Sequence, residues 1–149
     1  MEKALRKAGC RITAQRKAVL DYLDSTADHP SARQVFENVS KQCPQLSLAT
    51  VYNTLGTLVK MGLIKVLEFE AMDNRHETNL APHINLVCTI CGKIEDFDEG
   101  VTVYSDDVRE KFDFEVQDYR MEYYGLCAGC RSKTSEPFNE RRHNHENQE

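Results

Sequence analysis

The chain has 149 residues, a formal net charge of −5 and no apolar run long enough to cross a membrane. This length accommodates one ordinary domain or two small ones. The charged N-terminus does not resemble a secretory signal, so the sequence predicts a soluble, cytoplasmic protein rather than a membrane or secreted one.

Charge is distributed unevenly along the chain. Residues 1–65 contain 10 lysines and arginines against 5 aspartates and glutamates, whereas residues 66–149 contain 9 against 19. A basic half joined to an acidic half indicates a module that binds a polyanion, attached to a module that handles metal ions or other cations. Without a motif, an ordinary solvated surface would be the better explanation.

The N-terminal half carries the pattern of four helices followed by a β-hairpin. A short helix over 2–9 is expected to end at Gly9. Hydroxyl residues then stand at three expected helix N-caps: Thr13, Ser31 and Ser47. The last of these helices extends to Gly62, and β-rich stretches over 63–69 and 75–80 follow it. Three helices followed by a hairpin are typical of a winged helix-turn-helix.

The C-terminal half has a different pattern. Residues 83–88 and 93–97 predict strands, 101–112 an amphipathic helix, and 115–126 a long strand. We therefore predict an α+β fold in four segments: a winged-helix domain (1–80), a hinge (81–82), an α/β domain (83–132) and a disordered polar tail (133–149).

Two cysteine pairs are the strongest chemical signal: Cys88-x-x-Cys91 and Cys127-x-x-Cys130. This spacing lets both thiolates of a pair reach one tetrahedral ion, and two pairs complete a closed four-sulfur zinc site. The alternatives are two disulfides or two redox dithiols. Disulfides are disfavoured without a secretory signal, and two pairs in an acidic, strand-rich half favour zinc. Such a site stabilises a fold and performs no chemistry.

The helix after Ser47 has the composition of a DNA-recognition helix. Leu48, Val51 and Leu55 form its inner face, and the remaining side chains are predicted to face outward: Ser47, Ala49, Thr50, Tyr52, Asn53 and Thr54. Small and polar side chains suit contacts with base edges. Basic residues nearby are candidates for phosphate contacts: Arg11, Arg16, Lys17 and Lys65. The alternative is an ordinary solvated helix face.

Four motifs occur in order: Arg11-Ile12-Thr13-x-x-Arg16, His29-Pro30, Ser47 to Leu55, and Cys88-x-x-Cys91-Gly92-Lys93. Together they resemble the ferric uptake regulator family of metal-dependent repressors, from about Leu5 to Cys130. The resemblance implies a homodimer that binds double-stranded DNA at an AT-rich palindromic operator. It also implies a C-terminal dimerisation domain, structural Zn²⁺ on the four cysteines and a regulatory metal at the hinge.

The resemblance places five residues at the regulatory metal: His29, Glu77, His83, Asn85 and Asp96. Imidazoles mixed with carboxylates suit Fe(II), Mn(II) or Zn(II), and we expect Fe²⁺ or Mn²⁺. Asn85 departs from the family, which commonly has a second histidine there, and an amide oxygen is a harder and weaker ligand. His76 stands where the family usually has an aromatic residue and is not among the predicted ligands.

A second ligand group, used by some family members for another metal, is not matched. Ile84, Val103 and Tyr119 stand where its ligands would be needed. The sequence therefore predicts one structural and one regulatory metal per subunit.

Within the family, Asp96 and Asn53 resemble the peroxide-sensing (PerR-type) branch rather than the iron sensors. Glu77 argues the other way, because that branch more often has aspartate there. In that branch, bound Fe(II) reacts with peroxide and a ligand histidine is oxidised. The matching oxidation targets here are His29 and His83.

Two alternatives remain. One is an iron- or zinc-sensing repressor of the same family without peroxide chemistry. The other is a thiol-redox or zinc enzyme that uses Cys10 or Cys43. Neither cysteine has a histidine near it in the sequence, so we expect no enzymatic activity.

Overall fold

The computed structural model describes residues 1–70 and 72–133. Within these ranges, no helix is long and apolar enough to cross a membrane. The N-terminal part contains four helices and a two-stranded wing: α1 (Glu2–Lys7), α2 (Ala14–Ser25), α3 (Ala32–Val39), α4 (Leu48–Lys60), β1 (Lys65–Leu67) and β2 (Arg75–Glu77).

Side-chain caps begin the three longer helices, as predicted. Thr13 Oγ1 accepts a hydrogen bond from the Arg16 amide at 3.2 Å. Ser31 and Gln34 form a reciprocal capping box, and Ser47 Oγ accepts from the amide of Thr50 at 3.1 Å. Each cap satisfies an amide that the first helical turn leaves without a partner.

A single hydrophobic cluster holds the helices together. Its most buried members come from all four helices and from the residue before β1: Leu5, Val19, Leu20, Leu23, Val35, Val51, Leu55, Leu58 and Ile64. Because these side chains recur at spacings of three and four, each helix turns one apolar face inward. The opposite face of α4, with Ala49, Tyr52 and Asn53, is exposed.

The wing connects the two halves of the molecule. β1 and β2 pair antiparallel, with Lys65 opposite Glu77. Leu67 packs with Val87 and Ile94 in a second, smaller hydrophobic cluster. Both strands are three residues long, shorter than the predicted stretches 63–69 and 75–80.

The C-terminal part is a three-stranded sheet with two helices. Its elements are β3 (Ile84–Cys88), β4 (Ile94–Phe97), α5 (Ser105–Phe112), β5 (Glu122–Gly125) and α6 (Ala128–Arg131). The strand order is β4-β3-β5, in which β3 pairs antiparallel with β4 and parallel with β5. Cys88 ends the central strand, and Cys127 follows β5 closely, so the topology brings the two cysteine pairs together.

Two predicted elements are shorter than expected. The strand predicted over 115–126 is paired only over Glu122–Gly125, opposite Asn85–Cys88 of β3. The helix predicted over 101–112 begins only at Ser105. The four residues before it are β-branched or aromatic, and such residues are poor helix formers. No residue of α5 is buried within the chain.

The predicted domain limits at 80, 82 and 132 stay predictions, since the wing contacts both halves. The tail predicted to be disordered (133–149) lies, apart from Lys133, outside the described residues.

Candidate metal centres and nucleic-acid interface

The four paired cysteines form a closed thiol cluster. The sulfurs of Cys88, Cys91, Cys127 and Cys130 all lie within 4.8 Å of one another. Cys91 Sγ and Cys127 Sγ are 3.7 Å apart, close to the separation of about 3.8 Å that tetrahedral zinc–sulfur bonds of ~2.3 Å require. None of the cysteines forms a disulfide. The cluster is a structural zinc site, as predicted.

The backbone around Cys88 prepares its sulfur for zinc. Backbone N–H groups of Cys127, Cys91 and Ile90 donate to this sulfur and lower the pKa of the Cys88 thiol to about 6. The thiolate is the form that binds zinc, so these donors favour the bound state near neutral pH. Gly92, next to Cys91, has a φ of 68°, which a residue with a side chain rarely adopts.

A second cluster lies where the wing, the sheet and the loop before α3 meet. Ligand atoms of His29, Glu77, His83 and Asp96 all lie within 4.8 Å of one another. His29 Nε2 lies 2.9 Å from Glu77 Oε1 and 3.0 Å from Asp96 Oδ1. His83 Nε2 lies 3.0 Å from Glu77 Oε2. Four of the five predicted ligands therefore converge on one point.

The orientation of His83 fits a metal ligand. Its Nδ1 lies 2.7 Å from the Ala81 carbonyl oxygen, so Nδ1–H donates there and Nε2 is the nitrogen that faces the cluster. Metal-binding histidines are commonly fixed in this way. His29 also turns Nε2 to the cluster, but its buried Nδ1 has no hydrogen-bond partner among the described residues. The two imidazoles and two carboxylates suit a divalent transition-metal ion.

Asn85 is buried beside this cluster, and its amide nitrogen points toward it. Asn85 Nδ2 donates to Glu77 Oε2 at 3.2 Å, and Oδ1 is buried without a hydrogen-bond partner. A buried acceptor without a partner costs roughly 1–3 kcal/mol. A half turn of the amide would exchange the two atoms and bring Oδ1 to the cluster. Ligation by Asn85 stays a prediction.

The pKa values of Glu77 and His83 move in opposite directions. Burial alone would raise the pKa of Glu77, but hydrogen bonds from His29 and Asn85 outweigh it and lower the pKa. Burial alone would lower the pKa of His83, but the Ala81 carbonyl and the nearby carboxylates outweigh it and raise the pKa. Glu77 thus stays ionised, and a proton on His83 competes with any bound cation as the pH falls.

His76 helps to place His29 without joining the cluster. The backbone N–H of His76 donates to the Pro30 carbonyl at 3.0 Å, and its ring Nδ1 lies 3.1 Å from the same oxygen. Burial lowers the pKa of His76, which favours the neutral ring. These contacts hold the loop that carries His29 against β2.

The outward face of α4 is largely as predicted. Ser47, Ala49, Tyr52 and Asn53 are exposed, and Thr50 is half-buried. The prediction for Thr54 is wrong: its side chain is buried, and Oγ1 donates to the Thr50 carbonyl at 2.8 Å. The position lies between the inward positions 51 and 58 on the same face, which places it in the core.

The predicted phosphate contacts differ in their availability. Arg11 is exposed, and Arg16 donates through Nη1 to the Arg11 carbonyl at 2.9 Å. Lys17 pairs with Asp21 at 2.8 Å, and Lys65 pairs with Asp118 at 2.6 Å. In this arrangement both lysines are engaged by carboxylates.

Sequence reasoning missed Asn79, whose Nδ2 donates to Asp96 Oδ2 at 2.8 Å. No motif or spacing marked this residue. Ile84, Val103 and Tyr119 belong to neither of the two metal-capable groups found among the described residues.

Substitution of one clustered cysteine should remove the structural zinc. We expect Cys91→Ser to lose its one zinc ion per subunit after dialysis against a mild chelator, and to unfold at a lower urea concentration, because three sulfurs hold zinc less tightly than four. Atomic absorption and urea titration measure both effects. Cys10→Ser is the control and should keep its zinc; full zinc retention by Cys91→Ser would contradict the assignment.

Comparison with known proteins agrees with this geometry. A model described as the ferric uptake regulator family matches residues 7–124. The peroxide-responsive repressor PerR of Staphylococcus epidermidis is 37% identical over 131 residues, covering 87% of both chains. The PerR of Staphylococcus aureus strain USA300 is also 37% identical over 131 residues, covering 87% of this chain and 88% of its own.

Two solved structures have the same fold. The ferric uptake regulator of Helicobacter pylori superposes with a TM-score of 0.71 at 25% identity, covering 87% of this chain and 88% of its own. A Campylobacter jejuni peroxide stress regulator superposes with a TM-score of 0.68 at 29% identity, covering 87% and 95%. The chain therefore belongs to the ferric uptake regulator family.

Proposed function

We propose that this protein is a metal-dependent transcriptional repressor that binds an AT-rich palindromic DNA operator as a homodimer and senses peroxide. The observation that carries the proposal is the cluster of His29, Glu77, His83 and Asp96, which joins the helical half to the sheet. The curated relatives named as peroxide-responsive repressors support the choice of signal.

The cluster can act as a clamp between the two halves. His29 and Glu77 belong to the part that carries α4, whereas His83 and Asp96 belong to the part built on the sheet. A divalent cation held there would add attraction to two carboxylates whose partners are imidazole and amide groups. Binding therefore favours the closed arrangement, and that arrangement sets the spacing of two α4 helices in a dimer.

The residues of the cluster also suit a response to peroxide. A cleft of about 590 Å³ is lined by Glu77, His83 and Asn85, and gives a small molecule access to the site. Ferrous iron, when bound, would supply the redox chemistry toward peroxide that these side chains lack. The rings of His29 and His83 turn Nε2 toward the cluster, so they would help to hold the ion and would be the groups open to oxidation. An oxidised ring would hold the ion less well and weaken the clamp.

The role of the protein in this proposal is regulatory rather than catalytic. Cys43 is buried in the helical core, and Cys10 packs against that core. These environments suit packing more than a reactive thiol. We place the protein in the cytoplasm, where its DNA partner would be found.

Metal should strengthen DNA binding. We expect Mn(II) to raise the affinity for an AT-rich palindrome by roughly tenfold or more at fixed salt, because the ion favours the closed arrangement. His83→Ala should lose this gain, whereas His143→Ala, a change outside the described residues, should keep it. Fluorescence anisotropy measures the affinity, and a wild-type protein that does not respond to Mn(II) would contradict the proposal.

Peroxide should modify the histidines of the cluster. After treatment of the Fe(II)-loaded protein with peroxide, we expect mass spectrometry to find one added oxygen atom in the peptides that contain His29 or His83. The Mn(II)-loaded protein serves as the control and should stay unmodified. Unchanged histidines in the Fe(II) sample would favour the alternative, an iron- or zinc-sensing repressor without peroxide chemistry.

The sheet offers an apolar surface for a second subunit. Leu86, Phe97 and Tyr123 lie on the face opposite to the buried Asn85 and Val87, and all three are exposed. α5 also exposes Phe112. Exposed apolar groups that share a face mark interaction surfaces, so we assign this face to the homodimer.

A charge on this face should separate the subunits. We expect Leu86→Asp to raise the dimer dissociation constant by about a hundredfold or more, because the carboxylate would be buried without a partner. Sedimentation velocity over a concentration series measures the constant. Tyr52→Asp places the same charge on the exposed face of α4 and should leave the dimer intact. A dimeric Leu86→Asp protein would refute this assignment.

A further inference from the structure

We propose that Asn79, in the connection between β2 and β3, positions Asp96 and His83 and makes Asp96 a ligand through one oxygen only. The inference rests on the proposed function, since it concerns the same regulatory site. It assigns a role to a residue that no motif of the chain indicates.

The two carboxylate oxygens of Asp96 have different partners. Asn79 Nδ2 donates to Oδ2 at 2.8 Å, whereas Oδ1 lies 3.0 Å from His29 Nε2 and faces the cluster. A carboxylate with both oxygens free can bind a cation through one or both. Because the amide of Asn79 occupies Oδ2, Oδ1 is the oxygen that would face a bound cation.

The other end of the Asn79 amide leads to His83. Asn79 Oδ1 accepts from the Ala81 amide at 3.2 Å, and the Ala81 carbonyl lies 2.7 Å from His83 Nδ1. Asn79 and Ala81 thus link two ligands that belong to different strands. Outer hydrogen bonds of this kind fix the orientation of ligands and raise metal affinity.

Asp96 needs such support more than the other ligands do. Its side chain is 28% exposed, against 3% for His29 and 3% for Glu77. An exposed carboxylate loses more rotational freedom when it binds an ion, and a hydrogen bond made in advance reduces that loss.

Asparagine also has the right chemistry for position 79. It offers a donor for the Asp96 carboxylate and an acceptor for the Ala81 N–H without adding charge. An aspartate would lack the donor and repel Asp96, and an apolar side chain would lack both groups.

Asn79→Ala tests the positioning role of Asn79, and the same substitution at Asn74 serves as the matched control. Asn74 lies in a turn, and its Oδ1 accepts a hydrogen bond from the Phe69 amide at 3.3 Å. Among the described residues it makes no hydrogen bond to a side chain of the cluster. Mn(II) is titrated into zinc-loaded wild-type, Asn79→Ala and Asn74→Ala proteins and followed by electron paramagnetic resonance. We expect Asn79→Ala to bind Mn(II) about tenfold to a hundredfold more weakly, and Asn74→Ala to match the wild type within about threefold.

Two further measurements separate positioning from general destabilisation. The urea midpoint of the zinc-loaded protein without Mn(II) should be the same for Asn79→Ala and Asn74→Ala. Infrared difference spectra on Mn(II) binding should show an additional carboxylate bound through both oxygens only in Asn79→Ala. A fall in the midpoint without Mn(II) that accounts for the weaker binding would overturn the inference.

The outcomes also distinguish the inference from the proposed function. If wild type binds Mn(II), His83→Ala does not, and Asn79→Ala binds like wild type, then the role of Asn79 is wrong and the site stands. If wild type and His83→Ala bind Mn(II) equally, the regulatory site itself is wrong.

Discussion

The arrangement of the molecule depends on one buried carboxylate. Glu77 is 3% exposed, and its two oxygens are held by His29 on one side and by His83 and Asn85 on the other. A buried charge without partners costs several kcal/mol, so the folded state requires these three side chains to contact Glu77. They belong to the loop before α3, to β2 and to the start of β3. The orientation of the helical half on the sheet is therefore set where these three segments meet.

The coordination chemistry of the two metal sites suits different roles, one in stabilising the fold and the other in reversible binding. Four thiolates enclose zinc and leave no open position, which suits a permanent structural role. The second cluster mixes imidazoles and carboxylates beside a cleft, and its metal-capable side chains come from both halves. Softer ions are retained by sulfur, while the mixed set exchanges ions more readily. A single subunit can therefore hold one ion permanently and bind another reversibly.

Local patterns predicted much of this structure. The caps at Thr13, Ser31 and Ser47 and the cysteine pairs depend on spacings of a few residues, and all were found. The four clustered ligands came from the family resemblance, and the structure brings them together.

The remaining features depend on tertiary contacts. The partner of Asn79 lies 17 residues further along the chain, beyond the connection to the sheet. The extent of β5 is set by its pairing with β3 over Glu122–Gly125, which sequence periodicity does not report. Thr54 is polar yet faces the core because its hydroxyl bonds to the preceding turn of its own helix.

The parallel pairing of β3 with β5 has a consequence for how the chain folds. The strands are joined through β4 and α5, so their pairing depends on a distant contact. Closing a flexible segment of roughly 40 residues costs about 3 kcal/mol in chain entropy before any strand contact forms. The cysteine pairs lie at the two ends of this segment. Zinc capture by the four cysteines and the pairing of β3 with β5 close the same segment, so whichever forms first lowers the entropy cost of the other.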